Sequence, residues 1–328
     1  MRSEVTVAAS LACGLDPEVV HRVVATALAE DLGPDRLDVT SAATIDPGQL
    51  GTAELVARSA GVVAGLPLVA AVFAAVPSPT ADPAGSVGGA GSADGAGSAG
   101  PVEVRLHRAD GDRVPAGTVL ATLTGPVRTL LTGERTALNL ISRLSGVATH
   151  TRAWTDALAG SKATVLDTRK TTPGLRLLEK YAVRVGGGGN KRMGLYDVAM
   201  VKDNHKLAAG GVGAAYRRVR EAFPGVPVEV EVTTLAEAVE AVEAGATFLL
   251  CDNMPAELLS AVVAEVGDRV EVEATGGLTL ANAARYARTG VDYLSVGALT
   301  HSSPIMDIAL DLRPAGVSAS AGADRPAG

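Results

Sequence analysis

The sequence predicts an α/β protein whose C-terminal part closes into a barrel of βα units, and three observations lead there. From about residue 160, short apolar strands alternate with amphipathic helical stretches. Each of these strands runs straight into polar or glycine residues. The strand-end positions 170, 202, 231, 252, 275 and 297 are separated by 32, 29, 21, 23 and 22 residues, the spacing of successive βα units.

Composition sets the bounds. The chain has 328 residues, room for about two domains. Its 29 Lys and Arg against 36 Asp and Glu leave a net charge of −7, which argues against a general nucleic-acid surface. Hydrophobic residues make up 47% and aromatics only 3%, so the core is large and aliphatic. The two cysteines, Cys13 and Cys251, cannot make a disulfide framework and fit a reducing compartment. No apolar run approaches the ~18 residues of a membrane span. The opening MRSEVTVAASLACG is too short, and is interrupted by Glu4, for an export signal. The expectation is a soluble cytoplasmic protein with neither nucleic acid nor membrane as partner.

The elements follow in order. A helix is expected over Pro17–Glu30, preceded by Asp16 as its cap, then a strand over Thr52–Ala57. Residues 81–101 hold 7 Gly, 6 Ala and 3 Ser among 21 and read as a flexible insertion within the first domain. Strands over Val102–His107 and Thr118–Thr124 flank a turn at 109–112. These make up an α/β domain over residues 1–133. A long helix over Glu134–Trp154 then bridges to the barrel domain, residues 134–312. Its apolar stripe is Ala137, Leu140, Ile141, Leu144, Val147 and Ala148, with Arg135, Asn139 and Arg143 off it. The barrel strands are Ala163–Leu166, Val198–Val201, Val226–Val232, Thr247–Cys251, Val270–Ala274 and Tyr293–Val296. Six are visible and a seventh can be hidden. Residues 313–328 read as a disordered tail.

Strand C-termini form the active-site face of such a barrel, so their chemistry points to function. The first strand ends in Asp167-Thr168-Arg169-Lys170 and the second in Lys202-Asp203-Asn204-His205. The third carries Glu229 and Glu231 on one face, and the fourth ends in Asp252-Asn253. The last two end in Thr275-Gly276-Gly277 and Gly297. Arg192, after the run Gly186–Gly189, adds a further cation. Such a mouth suits a small substrate with several negative charges. The acids suit Mg²⁺ or ribose hydroxyls, and the glycine-rich ends suit a phosphate.

Plainer readings exist for each part. A four-glycine run is by itself a loop, a Thr-Gly-Gly is a routine turn, and Arg135 alone is a solvated residue near a helix start. Glu229 and Glu231 alone fit the solvent face of an edge strand. Cys251 reads as a small buried hydrophobe, and His205 and His301 lack metal-ligand spacing. The coincidence of six functional-looking strand ends outweighs these.

The ordered motifs resemble a known family. Glu134–Asn139, Ser145–Thr149, Asp167–Gly174, Val201–His205, Val228–Val232, Cys251–Met254, Glu273–Gly277 and Gly297–His301 together resemble the quinolinate phosphoribosyltransferases, the decarboxylating nicotinate-nucleotide pyrophosphorylases of NAD biosynthesis. The similarity runs from about residue 20 to residue 312 outside the insertion. It implies an N-terminal α/β sandwich plus an incomplete, seven-stranded α/β barrel of the type II phosphoribosyltransferase kind. The implied reaction transfers phosphoribosyl from 5-phosphoribosyl 1-pyrophosphate to quinolinate with loss of CO₂, using Mg²⁺. The resemblance implies that Arg169 and Arg192, with Lys202, grip the carboxylates, and that Lys170 touches substrate and pyrophosphate. Thr168 and Lys191 join the substrate-binding set. Glu231 and Asp252 hold ribose hydroxyls and Mg²⁺, with Lys170, Glu231 and Asp252 as the catalytic group. Thr275, Gly276, Gly277, Val296, Gly297 and Ala298 cradle the 5′-phosphate, with His301 beside them. It also implies a homodimer in which Arg135 reaches into the neighbour's site. One position departs from the family, which reads Asn-His-Arg where this chain has Asn190-Lys191-Arg192; lysine places a permanent cation there.

Two other classes stay open from sequence. One is a phosphoribosyltransferase-like protein associated with molybdenum transport, in which some of these cations are weakened. The other is a non-catalytic, ligand-sensing paralogue, in which Glu231 or Asp252 is lost.

Overall fold

A computed structural model of the chain describes residues 14–77 and 101–313. The insertion (apart from Pro101), the opening segment with Cys13, and the tail beyond Arg313 lie outside the described residues.

Helix α1 (Pro17–Leu32) begins where Asp16 accepts the Glu18 N–H at 2.9 Å and Pro17 presets the helical φ. Asp38 caps the short α2 (Val39–Thr44) in the same way. Next come β1 (Leu50–Ala57), β2 (Gly61–Val62), α3 (Leu66–Ala75), β3 (Glu103–Leu106), β4 (Arg113–Val114) and β5 (Val119–Pro126). Asp110, in the turn expected at 109–112, accepts the N–H groups of Gly65 and Leu66 at 2.8 and 3.0 Å. It thereby satisfies the start of α3, which has no cap of its own.

The bridging helix is longer than its apolar stripe indicated. α4 (Val127–Ala157) runs for 31 residues and starts directly after Pro126. Its stripe of Leu130, Ala137, Ile141, Leu144, Val147 and Ala148 is buried in one continuous core that serves both domains. Gly146 sits mid-helix because a Cβ there would collide with the Pro304 carbonyl, whose chain crosses over it.

The barrel strands are β6 (Thr164–Leu166), β7 (Ala199–Val201), β8 (Val228–Val232), β9 (Phe248–Asp252), β10 (Glu271–Thr275) and β11 (Tyr293–Ser295). The helices between them are α5 (Arg176–Val185), α6 (Asp203–Ala209), α7 (Val212–Ala222), α8 (Leu235–Glu243), α9 (Ala256–Val266) and α10 (Leu280–Ala287), with α11 (Ala298–His301) after β11. The six strands pair in parallel, in the order β6-β11-β10-β9-β8-β7. Among the described residues no seventh strand forms, and one isolated bridge marks its place. Gly189 makes a parallel bridge to Leu166 between β6 and β7, its N–H reaching Val165 O at 2.8 Å. The glycines before it carry no side chains to extend a pleat, so the ladder stops at one bridge.

Strand parity separates two environments. Leu166, Val198, Phe248 and Tyr293 form a small apolar cluster apart from the main core, with the two rings stacked 5.7 Å apart. Among the described residues, no helix is long and apolar enough to cross a membrane.

One boundary differs from expectation. The segment expected to end the barrel domain at 312 supplies β12 (Ile308–Arg313), which pairs antiparallel with β1. The N-terminal sheet is therefore ordered β12-β1-β5-β3. An otherwise open edge of β1 is covered, and the Arg58–Asp311 and Arg313–Glu54 ion pairs fasten the added strand.

Candidate active site

The strand ends bring most of the expected residues to one mouth in a definite order. Thr168, Arg169 and Lys170 follow β6, Arg192 lies in the β6–β7 connection and Lys202 follows β7. Glu231 is the penultimate residue of β8, Asp252 ends β9, Thr275 ends β10 with Gly276 and Gly277 after it, and Gly297 follows β11. Because β11 pairs with β6, the ring returns the glycine end to Lys170. A Cβ on Gly297 would lie 3.0 Å from Lys170 Cδ and 3.1 Å from His301 Nε2, so all three residues share one corner.

The cationic sector is assembled by a buried network. Asp167 is fully buried, and its carboxylate pairs with the buried Lys180 ammonium. The same carboxylate accepts from Asn190 Nδ2 at 2.6 Å and from the Lys191 N–H at 2.8 Å. The strand end bearing Arg169 and Lys170 is thus tied to the loop bearing Arg192. Arg192 is only 6% exposed; its guanidinium donates to Val198 O at 3.2 Å and lies 3.4 Å from Met200 Sδ. Burial, partly countered by Glu229, and the like charge of Arg169 hold it below the ordinary arginine range. Two cations kept together in this way favour a dianion between them. Thr168 Oγ1 accepts the Lys170 N–H at 3.1 Å and Thr300 Oγ1 donates to Lys170 O at 2.8 Å, which fixes the backbone under the Lys170 side chain.

The acidic sector follows on the neighbouring strands β8 and β9. Glu231 Oε2 is 3.7 Å from Lys202 Nζ, and Asn253 Nδ2 donates to Asp252 Oδ2 at 3.0 Å. Asn253 has φ +52 and packs where Gly276, at φ +86, has no Cβ. Among the described residues no group of three or more His, Cys, Asp and Glu could hold a metal by protein ligands alone. Mg²⁺ keeps most of its waters and commonly takes one or two carboxylates plus substrate phosphates, and Glu231 with Asp252 matches that demand.

The glycine sector is only partly as expected. Gly276 and Gly277, at φ +86 and +60, turn the chain sharply after β10. Thr275 Oγ1 is within 3.5 Å of Ser295 O. The Val296 N–H, expected to face a phosphate, donates instead to Leu166 O at 2.9 Å as part of the barrel ladder. Gly297 and Ala298 lead into α11, and His301 Nδ1 lies 2.6 Å from Ser302 Oγ.

Lys191 departs from expectation. It was expected as another substrate cation, but its residue is 6% exposed and its ammonium turns into the barrel interior. Nζ lies 2.6 Å from Glu273 Oε1 and 3.5 Å from Glu229 Oε2. Both acids are fully buried; burial, partly countered by Lys191, pushes Glu229 up to about 7. The edge-strand reading of Glu229 and Glu231 therefore falls, since β8 is flanked by β7 and β9.

Sequence reasoning passed over Lys180, Asn190, Glu273 and Glu179. Lys180 carries no sequence signal, and it is the fold that brings its ammonium to Asp167. Glu179 accepts from Arg143 Nη2 at 2.8 Å and from the Thr172 N–H at 3.0 Å, bracing the segment after Lys170 against α4. His205 Nδ1 accepts the Lys202 N–H at 3.0 Å, a helix-capping role. Burial pushes the Cys251 thiol up to about 12, as expected of an inert core cysteine. Arg135 is exposed on α4, away from its own barrel mouth in sequence and off the buried stripe.

Residues 38–145 match the N-terminal domain, and residues 147–311 the C-terminal domain, of quinolinate phosphoribosyl transferase. The nicotinate-nucleotide pyrophosphorylase [carboxylating] of Mycobacterium leprae is 45% identical over 298 residues, covering 90% of this chain and 98% of the relative. The crystal structure of NadC from Streptococcus pyogenes is similar with a TM-score of 0.81 at 36% identity, over 92% of this chain and 98% of that one. The nicotinate-nucleotide pyrophosphorylase structure from Francisella tularensis gives a TM-score of 0.82 at 31% identity, over 95% of this chain and 100% of that one.

Proposed function

The chain belongs to the quinolinate phosphoribosyltransferase family, and from that premise we propose how its barrel mouth divides the labour of the reaction. The enzyme transfers phosphoribosyl from 5-phosphoribosyl 1-pyrophosphate to quinolinate with decarboxylation, giving nicotinate mononucleotide, pyrophosphate and CO₂. The observation that carries the assignment of roles is the order of chemistry around the ring: cations after β6 and β7, acids on β8 and β9, glycine turns after β10 and β11. A pyridine dicarboxylate, a ribose and a 5′-phosphate present the complementary groups in that order.

In this reading Arg169, Arg192 and Lys202 bind the two carboxylates and aim the ring nitrogen at C1 of the ribose. Glu231 and Asp252 bind the ribose hydroxyls and stabilise the positive charge that develops on the sugar as the bond to pyrophosphate breaks. Lys170 neutralises the departing pyrophosphate. Glu231 and Asp252 would also hold Mg²⁺, which when bound would further neutralise the pyrophosphate charge. The leaving oxygen keeps the bonding pair, and the nitrogen becomes a pyridinium. The ring then accepts the electrons of the adjacent carbon–carboxylate bond as CO₂ leaves, and a proton replaces it at that carbon. No covalent enzyme intermediate is needed. The 5′-phosphate rests on Thr275–Gly277 and Gly297–Ala298, beside His301.

The active assembly in this reading is a cytoplasmic homodimer in which Arg135 of one subunit completes the site of the other. The test is substrate choice. Nicotinate lacks one carboxylate, which leaves a mouth cation unpaired at a cost of about 2–5 kcal/mol, so kcat/KM should fall by a factor of at least about thirty. Equal kcat/KM for the two acids would contradict it.

A further inference from the structure

Lys191 and Arg192 are consecutive and equally buried, yet it is Arg192 that feels the charge of Arg169 at the mouth. The Lys191 ammonium is spent below it, on Glu273 from β10 and Glu229 from β8. Those strands flank β9, so the lysine bridges the barrel interior. Among the described residues, Glu229 Oε1 and Oε2 and Glu273 Oε2 have no hydrogen-bond partner, which leaves Lys191 as the nearest compensation for two buried carboxylates. The Lys191 backbone is held as well: its N–H donates to Asp167 at 2.8 Å, and its carbonyl accepts from Lys180 Nζ at 2.9 Å. A residue anchored at its N–H, its carbonyl and its side chain has no freedom left to follow a substrate.

We infer that Lys191 is a positioning residue. It acts as a buried counter-ion that pins the 190–192 loop to the barrel interior and so presents Arg192 to the quinolinate carboxylates without touching them. The inference rests on the proposed role of Arg192 in carboxylate binding. It also explains how a lysine is accommodated at this position: a compact cation on a long stem reaches two acids set one layer below the mouth.

Removing one member of a buried ion cluster is strongly damaging, whereas replacing the whole cluster with neutral groups of similar shape is tolerated. That asymmetry separates a counter-ion from a substrate ligand. Steady-state kinetics should compare the full-length wild type, Lys191→Met and the triple variant Lys191→Met/Glu229→Gln/Glu273→Gln. The single variant should raise the KM for quinolinate by about tenfold or more, with the KM for phosphoribosyl pyrophosphate changing by less than about twofold. The triple variant should recover most of the lost quinolinate affinity. If the triple variant stays as impaired as the single one, Lys191 contacts substrate and the inference is wrong. A parallel rise of both KM values, or failure of both variants to fold, makes Lys191 a general fold requirement and likewise overturns it. A wild type without quinolinate-dependent turnover would instead contradict the reading of the site itself.

Discussion

The carboxylate of Asp167 accepts the backbone N–H of Lys191 at 2.8 Å, joining the end of the first barrel strand to a loop 24 residues further along the chain. Through this bond and the Asp167–Lys180 pair, the two arginines of the mouth are held together against their mutual repulsion. Asp167→Ala leaves the Lys180 charge buried without its partner, so chemical denaturation should show a loss of about 3–5 kcal/mol. A loss below about 1 kcal/mol, the scale of a surface pair, would mean that the network is ornamental.

Gly276 tests the glycine sector. Its φ of +86 disfavours any side chain, and a Cβ there would strike the amide of Asn253, which itself bonds Asp252. Gly276→Ala should cost about 1–2 kcal/mol of stability for the backbone conformation alone. It should also raise the KM for phosphoribosyl pyrophosphate more than that for quinolinate. An unchanged KM for the pyrophosphate substrate would remove this turn from the site.

The barrel was legible because its strands end in chemistry. Charged and glycine residues recur at βα spacing, and that recurrence does not depend on any one boundary. What stayed hidden depends on direction. Lys191 reads as a rim cation until strand parity and register turn Glu229 and Glu273 inward to meet it. Lys180 carries no signal, since a lysine on a helix is ordinarily solvated. The return of Ile308–Arg313 to β1 escaped because a short half-exposed strand looks the same wherever it pairs. The start of α4 at Val127 was missed because a strand ending in Gly125-Pro126 gives no polar cap to mark it.

Acidification should act through His150. Trp154 Nε1 donates to its Nε2 at 3.3 Å, so the other nitrogen carries the proton and donates to Ser303 Oγ at 2.8 Å. Ser303 in turn donates to Leu299 O in α11 at 2.6 Å. Burial depresses the folded-state pKa of His150. Its contribution to stability is therefore present above the unfolded value and is lost as pH falls through the lower folded value. The melting temperature of the wild type relative to His150→Gln should drop between about pH 7.5 and about pH 5. A constant difference over that range would contradict the neutral network.

Arg135 tests the shared site. Arg135→Ala and Glu231→Ala homodimers should each be nearly inactive. After dissociation and random reassociation, about half the dimers carry one intact and one doubly damaged pocket, so activity should return to roughly a quarter of wild type. If subunits exchange and activity stays at the parental level, Arg135 serves its own chain.

The central claim, a phosphoribosyl transfer coupled to decarboxylation at this mouth, is tested most directly by product stoichiometry. Purified protein with Mg²⁺, quinolinate and phosphoribosyl pyrophosphate should release pyrophosphate and CO₂ in equal amounts, matched by nicotinate mononucleotide, and should release neither when one substrate is omitted. Pyrophosphate release that proceeds without quinolinate, or that is not accompanied by CO₂, would contradict it.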